Sequence, residues 1–170
     1  MTGVQTCALP IYQEKLQLIK KLLLENPKMR ARVGIMGESD ARKKSDSHET
    51  DAPGNAQIGA WHEYGIPEGS GTRMPQRSFL RMPIILKMQE YLKKGLDKKT
   101  FNASIEDKSL APMYRRLGVI GRKIVLDAFA SGGFGQWAPL APYTIAHKKV
   151  AQILVETQDL RNSITFEVVE

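Results

Sequence analysis

His62-Glu63 is the first pair in this chain whose types and spacing point to chemistry. A helix reading His-Glu-x-x-His holds zinc through two imidazoles one turn apart, with the Glu acting as base. The position that should carry the second imidazole is Ile66, so the ligand set is incomplete. His48 and His147 are distant from His62 in sequence and read as structural or surface residues. Gly132-Gly133-Phe134-Gly135 lacks the Lys-Ser/Thr of a phosphate loop and does not follow a strand. It reads as a helix stop and hinge. No serine sits in a Gly-x-Ser-x-Gly setting, and no pair of carboxylates is placed by its neighbours to share a proton. The expectation is no enzyme, with no catalytic residues, no metal and no cofactor.

The elements that position these residues are mostly helical. Tyr12, Leu16, Ile19 and Leu23 recur on one helical face, which ends at Asn26-Pro27. Arg32 to Met36 reads as a short strand. Glu38 to Asn55 has no large apolar residue and reads as a mobile loop, either functional or a passive insertion. Asn55 suits the cap of a helix carrying Ile58, Trp61, His62 and Tyr64 to a stop at Gly65. After a Gly-rich turn from Ile66 to Arg73, Pro83 fits the first turn of the next helix, whose apolar face is Ile84, Ile85, Met88, Tyr91, Leu92 and Leu96. Ser109 suits the cap of a long helix with Met113, Leu117, Ile120, Ile124 and Ala128 inward, stopped at Gly132-Gly133. Pro142 would start a helix from Tyr143 to Lys149, and Thr157 would cap a last short one with Asp159 in its first turn. Leu160 and Ile164 would pin that helix to the sheet. A terminal strand with Phe166 and Val168 on one face should pair antiparallel with the Val33 strand or another. The fold class is α+β, amphipathic helices on a small antiparallel sheet, in one domain over residues 12–170 that is open to truncation at its C-terminal end.

Thr2 to Ile11 resembles the translation of a sequencing-library adapter, so residues 1–11 are set aside as an artefact. A signal peptide fits less well, because no Lys or Arg precedes the apolar stretch and Gln5, Thr6 and Pro10 break it. The single cysteine, Cys7, falls in that string, so no disulfide is expected and a reducing compartment is the natural one. No apolar run reaches the length of a membrane span. Lys and Arg number 25 against 18 for Asp and Glu, a net charge of +7. Such an excess permits contact with nucleic acid or an acidic surface, but its spread over several helices also fits ordinary solvated faces.

Two blocks remain. The first is His62-Glu63-Tyr64-Gly65 followed by Met74-Pro75-Gln76-Arg77-Ser78-Phe79-Leu80-Arg81. The second is Trp137-Ala138-Pro139-Leu140-Ala141-Pro142-Tyr143-Thr144, then Leu154-Val155-Glu156-Thr157 and Leu160-Arg161-Asn162-Ser163-Ile164. Their order and separation resemble the virion-morphogenesis, or tail-completion, proteins of tailed bacteriophages and prophages. Members read His-Glu-[Tyr/Phe]-Gly, Pro-x-Arg-x-Phe-Leu-Arg, Trp-x-Pro-Leu-[Ser/Ala]-Pro-x-Thr and Asp/Glu-Thr-Gly-x-Leu-Arg-x-Ser-Ile. The resemblance covers Val33 to the C-terminus. It departs at Gln158, where the family has Gly, and in a shortened stretch between His147 and Ile153. A turn needing positive φ at Gln158 would be strained.

The resemblance implies a structural protein of the virion neck, assembled in the bacterial cytoplasm. It implies a hexameric ring bound to connector and tail-tube proteins, with DNA passing through the lumen and no membrane partner. The interface or structural candidates are His62, Glu63, Tyr64, Arg77, Phe79, Arg81, Trp137, Thr157, Leu160 and Arg161. On physical grounds, Arg77 and Arg81 should reach a carboxylate across a fold or subunit contact while Phe79-Leu80 faces inward. Trp137 between prolines suits either a core anchor or an interface hot spot. Arg161 should be free to pair. The alternative is a basic nucleic-acid-binding protein of phage origin; a small hydrolase with an unrecognised carboxylate site is a third reading.

Overall fold

The fold is built around one long helix. A computed structural model describes residues 8–40, 53–67, 74–147, 153–154 and 158–170. Most of the predicted 38–55 loop, most of the Gly-rich turn, Lys149 and Thr157 lie outside the described residues. The elements in chain order are α1 (Ala8–Glu25), β1 (Arg30–Ile35), a single 3-10 turn (Gly37–Asp40), α2 (Asn55–Tyr64), α3 (Arg81–Gly95), α4 (Lys98–Glu106), α5 (Ala111–Ser131), α6 (Pro142–His147), α7 (Asp159–Asn162) and β2 (Ile164–Val169). This is an α+β fold: helices around a two-stranded antiparallel sheet. Among the described residues, no helix is long and apolar enough to cross a membrane.

α5 carries the densest apolar stripe, with Ile120, Ile124, Val125, Ala128 and Phe129 buried at helical spacing. Pro112 lies in its first turn, and the Ser109 hydroxyl accepts from the Ala111 amide at 3.2 Å. Gly132, at φ 62°, ends it in the left-handed conformation, and the Gly133 amide donates back to the Ala128 carbonyl at 2.7 Å.

β1 and β2 pair with Val33 opposite Phe166 and Ile35 opposite Ile164. The sheet sits on α5 at Gly118 and Gly121, one turn apart and both buried. A methyl group on Gly118 would land in the Phe166 ring, and one on Gly121 would meet Val33 Cγ2 at 2.8 Å. Glycine is required there by the closeness of helix and sheet. The Arg122 Nε fastens the same contact by donating to the Ile164 carbonyl at 2.8 Å.

α3 lies along α5. The Tyr91 hydroxyl donates to Asp127 Oδ2 at 2.6 Å, and Arg116 Nε donates to the Gly95 carbonyl at 2.7 Å. Burial, then the hydrogen bond and negative charge of Asp127, push the Tyr91 phenol up to about 12. The predicted inner face of α3 is partly displaced. Ile84, Met88, Tyr91 and Leu92 are half-buried, but Ile85 and Leu96 are exposed, because the helix rests on α5 through a narrower stripe.

α4 was not expected. Its start carries a local signal: Asp97 caps it, accepting from the Thr100 amide at 2.8 Å. With α1 it forms a second small core of Ile19, Leu22, Met29 and Leu110, flanked by Phe101 and Ile105. That geometry corrects the stripe on α1. Ile19 and Leu22 face inward, whereas Tyr12, Leu16 and Leu23 are exposed. The helix packs only through its C-terminal part, so it buries one patch and not a full stripe. α1 also runs continuously from Ala8, across the boundary set at residue 11.

Two further expectations change, and one is met. Asn55 does not cap α2; Gly54 holds that position, and Asp40 Oδ1, brought in from the 3-10 turn, accepts from the Ala56 amide at 2.6 Å. Asn55 is buried, its Nδ2 donating to the Ser39 carbonyl at 3.2 Å. α7 is a single turn, so Ile164 belongs to β2, although Leu160 and Ile164 still share one apolar cluster. The predicted C-terminal strand pairs with the Val33 strand, antiparallel.

Gly118→Ala tests the seat of the sheet. An alanine gains about 1 kcal/mol of helix propensity, but overpacking against Phe166 should cost about 1–3 kcal/mol more than that gain. The urea midpoint should fall; a rise would show that α5 and β2 do not approach as described.

Candidate functional site

The sequence blocks meet at one place, the N-terminal end of α3. Ile66 and Met74 exchange backbone hydrogen bonds at 2.9 and 3.2 Å, which turns the chain back past the end of α2. The segment from Pro75 to Leu80 then runs between α2 and the Trp137 loop and is tied to both.

On the α2 side the tie is Glu63. Its residue is 6% exposed, and its carboxylate accepts four hydrogen bonds. The Ser78 hydroxyl donates at 2.6 Å, the Phe79 and Leu80 amides at 3.0 Å each, and the Arg81 amide at 3.2 Å. The acceptors answer amides at the start of α3 that have no partner within the helix, and the negative charge lies at the positive end of its dipole. Ser78 serves twice, since its Oγ also accepts from the Met82 amide at 3.0 Å. Two bonds to backbone carbonyls reinforce the tie: the Arg77 amide donates to the His62 carbonyl at 2.7 Å, and the Gln76 side-chain Nε2 to the Glu63 carbonyl at 3.0 Å.

On the other side, Trp137 Nε1 donates to the Ser78 carbonyl at 2.9 Å. Its ring stands edge-on to Phe129, centroids 5.7 Å apart, and Phe129 in turn lies 5.2 Å from Phe79. Trp137 is buried and is a core anchor. Its indole lies across Gly133, where a side chain would collide with it. The glycine run is therefore a closed corner, with the Trp137 amide bonded to the Gly132 carbonyl at 3.1 Å.

The two arginines differ from expectation. Arg77 is 7% exposed, and its Nε and Nη2 donate to the carbonyls of Ala138 and Pro139 at 3.0 and 3.1 Å. Its partners are backbone dipoles and not a carboxylate, and burial lowers its pKa from the usual value. Arg81 is largely exposed. Its Nε stands 4.0 Å from Glu63 Oε1, and its guanidinium lies 5.9 Å from the centre of the exposed Tyr64 ring. The fixed ion-pair expectation thus reduces to one marginal contact at Arg81, because backbone amides and Ser78 take the Glu63 oxygens.

His62 is half-buried on α2, while His147 stacks on Tyr143 of α6 at 4.1 Å. No group of His, Cys, Asp or Glu among the described residues could hold a metal ion. Leu160 is buried beside Phe79 in the main core. Arg161 is half-buried and lines a hollow with Asp127, Lys123 and Phe166. Thr157 lies outside the described residues. Gln158, at φ 61° and ψ 1°, has the left-handed backbone that the family-like pattern reserves for glycine.

Beside the node runs an open groove of about 770 Å³. Its walls are Ile58 and His62 of α2, Met74 and Arg77 of the crossing segment, Leu140 of the Trp137 loop and Leu160 of α7. Sequence reasoning missed the roles of Ser78, as partner of Glu63, and of Asp40, as cap of α2. It also missed Glu63 as a capping residue. The partners are 15 and 16 positions away, so no local pattern announces them. Compared with family models, characterised proteins and solved structures, the chain matches none.

Two substitutions test the node. Glu63→Gln turns a four-fold acceptor into a group that must direct N–H at amide donors. It should lower stability by about 2–3 kcal/mol, whereas Glu90→Gln, which loosens only the exposed contacts with Lys87 and Lys94, should move the denaturation midpoint far less. Equal midpoints for wild type and Glu63→Gln would contradict the capping role. Gln158→Gly should raise stability by about 0.5–1 kcal/mol, the relief of left-handed strain less the added freedom of the unfolded chain. A loss there would mean that the Gln158 side chain contributes more than its backbone strain costs.

Proposed function

We propose that this chain is a structural subunit of the tail-completion type: a non-enzymatic neck protein that forms a ring at the head–tail joint of a phage particle. The observation that carries this reading is the convergence of the blocks on which the resemblance rests. Glu63, Arg77, Ser78, Phe79, Trp137 and Pro139, scattered through the chain, hold one another around the start of α3. A buried cap, an aromatic stack and an arginine clamp each need one particular side chain, which supports reading these blocks as a family pattern. The same blocks leave Tyr64, Arg81 and Tyr143 exposed, where contacts with neighbouring subunits can form.

In this reading the protein catalyses nothing and works by docking on itself and on connector and tail-tube proteins, in the virion. The rival reading draws on the net charge of +7 and on a hollow between α3 and α5 lined by Lys94, Arg116 and Lys123. Mass measurement separates the two. The product of the intact gene, examined by light scattering or native mass spectrometry with neck proteins of the same genome, should appear in a multi-subunit complex. A protein that stays monomeric with every such partner, yet binds DNA with a steep dependence on salt, would favour the nucleic-acid reading.

A further inference from the structure

Arg77 carries a charge that no anion among the described residues balances. Buried cations are ordinarily matched by an anion, because removing a charge from water is expensive. Here the described ion pairs include none at Arg77. A guanidinium has five N–H donors; one on Nε and one on Nη2 are used, both on neutral carbonyls, and the remainder find no acceptor among the described residues. The side chain is held by two hydrogen bonds, is only 7% exposed, and forms part of the wall of the groove of about 770 Å³. Asp159 lines the same groove and has a partner of its own.

We propose that this groove binds an acidic peptide segment of a partner protein, with a carboxylate of that segment seated on the unused donors of Arg77. Charge complementarity selects the anion, and the planar fork of a guanidinium selects a carboxylate in two-pronged contact. The remaining walls select a peptide over a free ion. Ile58, Met74, Leu140, Leu154 and Leu160 offer apolar surface that a small anion would leave uncovered, and a groove of about 770 Å³ is within the range of sites that enclose larger ligands. Since the carbonyls of Ala138 and Pro139 fix the guanidinium beforehand, little freedom is lost on binding. The site stands apart from the ring reading: it would take such a segment whether the chain is monomeric or assembled.

The test is selection from a random dodecapeptide library on the immobilised full-length chain, followed by affinity measurement with the recovered peptides. Acidic residues next to apolar ones should be enriched. Replacing the key acid by its amide should weaken binding to the wild-type chain at least about tenfold, roughly 1.4 kcal/mol. Arg77→Met should abolish binding. Should that variant fail to fold, Leu140→Glu, which places a competing carboxylate on the groove wall, should block it instead. Recovered peptides without acid enrichment, amide peptides that bind equally well, or acidic peptides that bind the folded groove variants undiminished would each overturn the proposal. So would displacement by acetate or phosphate at the peptide's own concentration, which would mark a simple anion pocket. None of these outcomes depends on the subunit mass, so the site and the ring reading fail separately.

Discussion

A single buried carboxylate organises this molecule. Glu63 lies at the end of one helix and satisfies the start of another, and its four donors come from four successive residues, Ser78 to Arg81. An isolated charge in such a place would be strongly unfavourable. It is tolerated because every donor is fixed by the backbone or by Ser78, and because the helix start supplies positive potential. The arrangement also sets a direction. With the carboxylate in place, the start of α3 is tied to the end of α2, and α3 runs from there along α5.

The clamp on the other face of the crossing segment follows the same logic with roles exchanged. There, the loop supplies a side chain, Trp137, to a carbonyl of the segment, and the segment supplies a side chain, Arg77, to carbonyls of the loop. Such reciprocal ties satisfy backbone groups of two irregular stretches that would otherwise need water or a sheet. The aromatic stack of Phe79, Phe129 and Trp137 excludes solvent beneath them, which strengthens each bond in the low dielectric. An arginine chosen to hold carbonyls must still carry its charge, so Arg77 presents to the groove a cation with no anionic partner among the described residues.

Where the determinants are local, the sequence is legible. The stripe of α5, the stop at Gly132, the turn of α2 at Gly65 and the existence of the Val33 and Phe166 strands all rest on periodicity or on the backbone freedom of glycine. The cap at Asp97 was equally local, though α4 itself was not anticipated. What could not be read were interactions between residues brought together by the fold. Asp40 capping α2 is one, Glu63 capping α3 another, and the choice of carbonyls over a carboxylate by Arg77 a third. Likewise, a stripe of apolar residues on α1 states that something can be buried, while only the extent of its packing against α4 decides that Leu22 is inside and Leu23 outside.

The pairing of β1 with β2 bears on how the chain acquires its shape. Arg32 and Glu167 face each other across 135 positions of sequence, whereas α3, α4 and α5 pack as near neighbours along the chain. Local helix contacts form quickly; a contact of that span must wait for a large loop to close. During synthesis β1 leaves the ribosome long before its partner strand exists. Until then, its amides and carbonyls stay unpaired, and the two glycines of α5 form an empty seat. β2 is thus the strand that closes the β1 edge, and a nascent chain halted shortly before it would expose that edge to pairing with other chains.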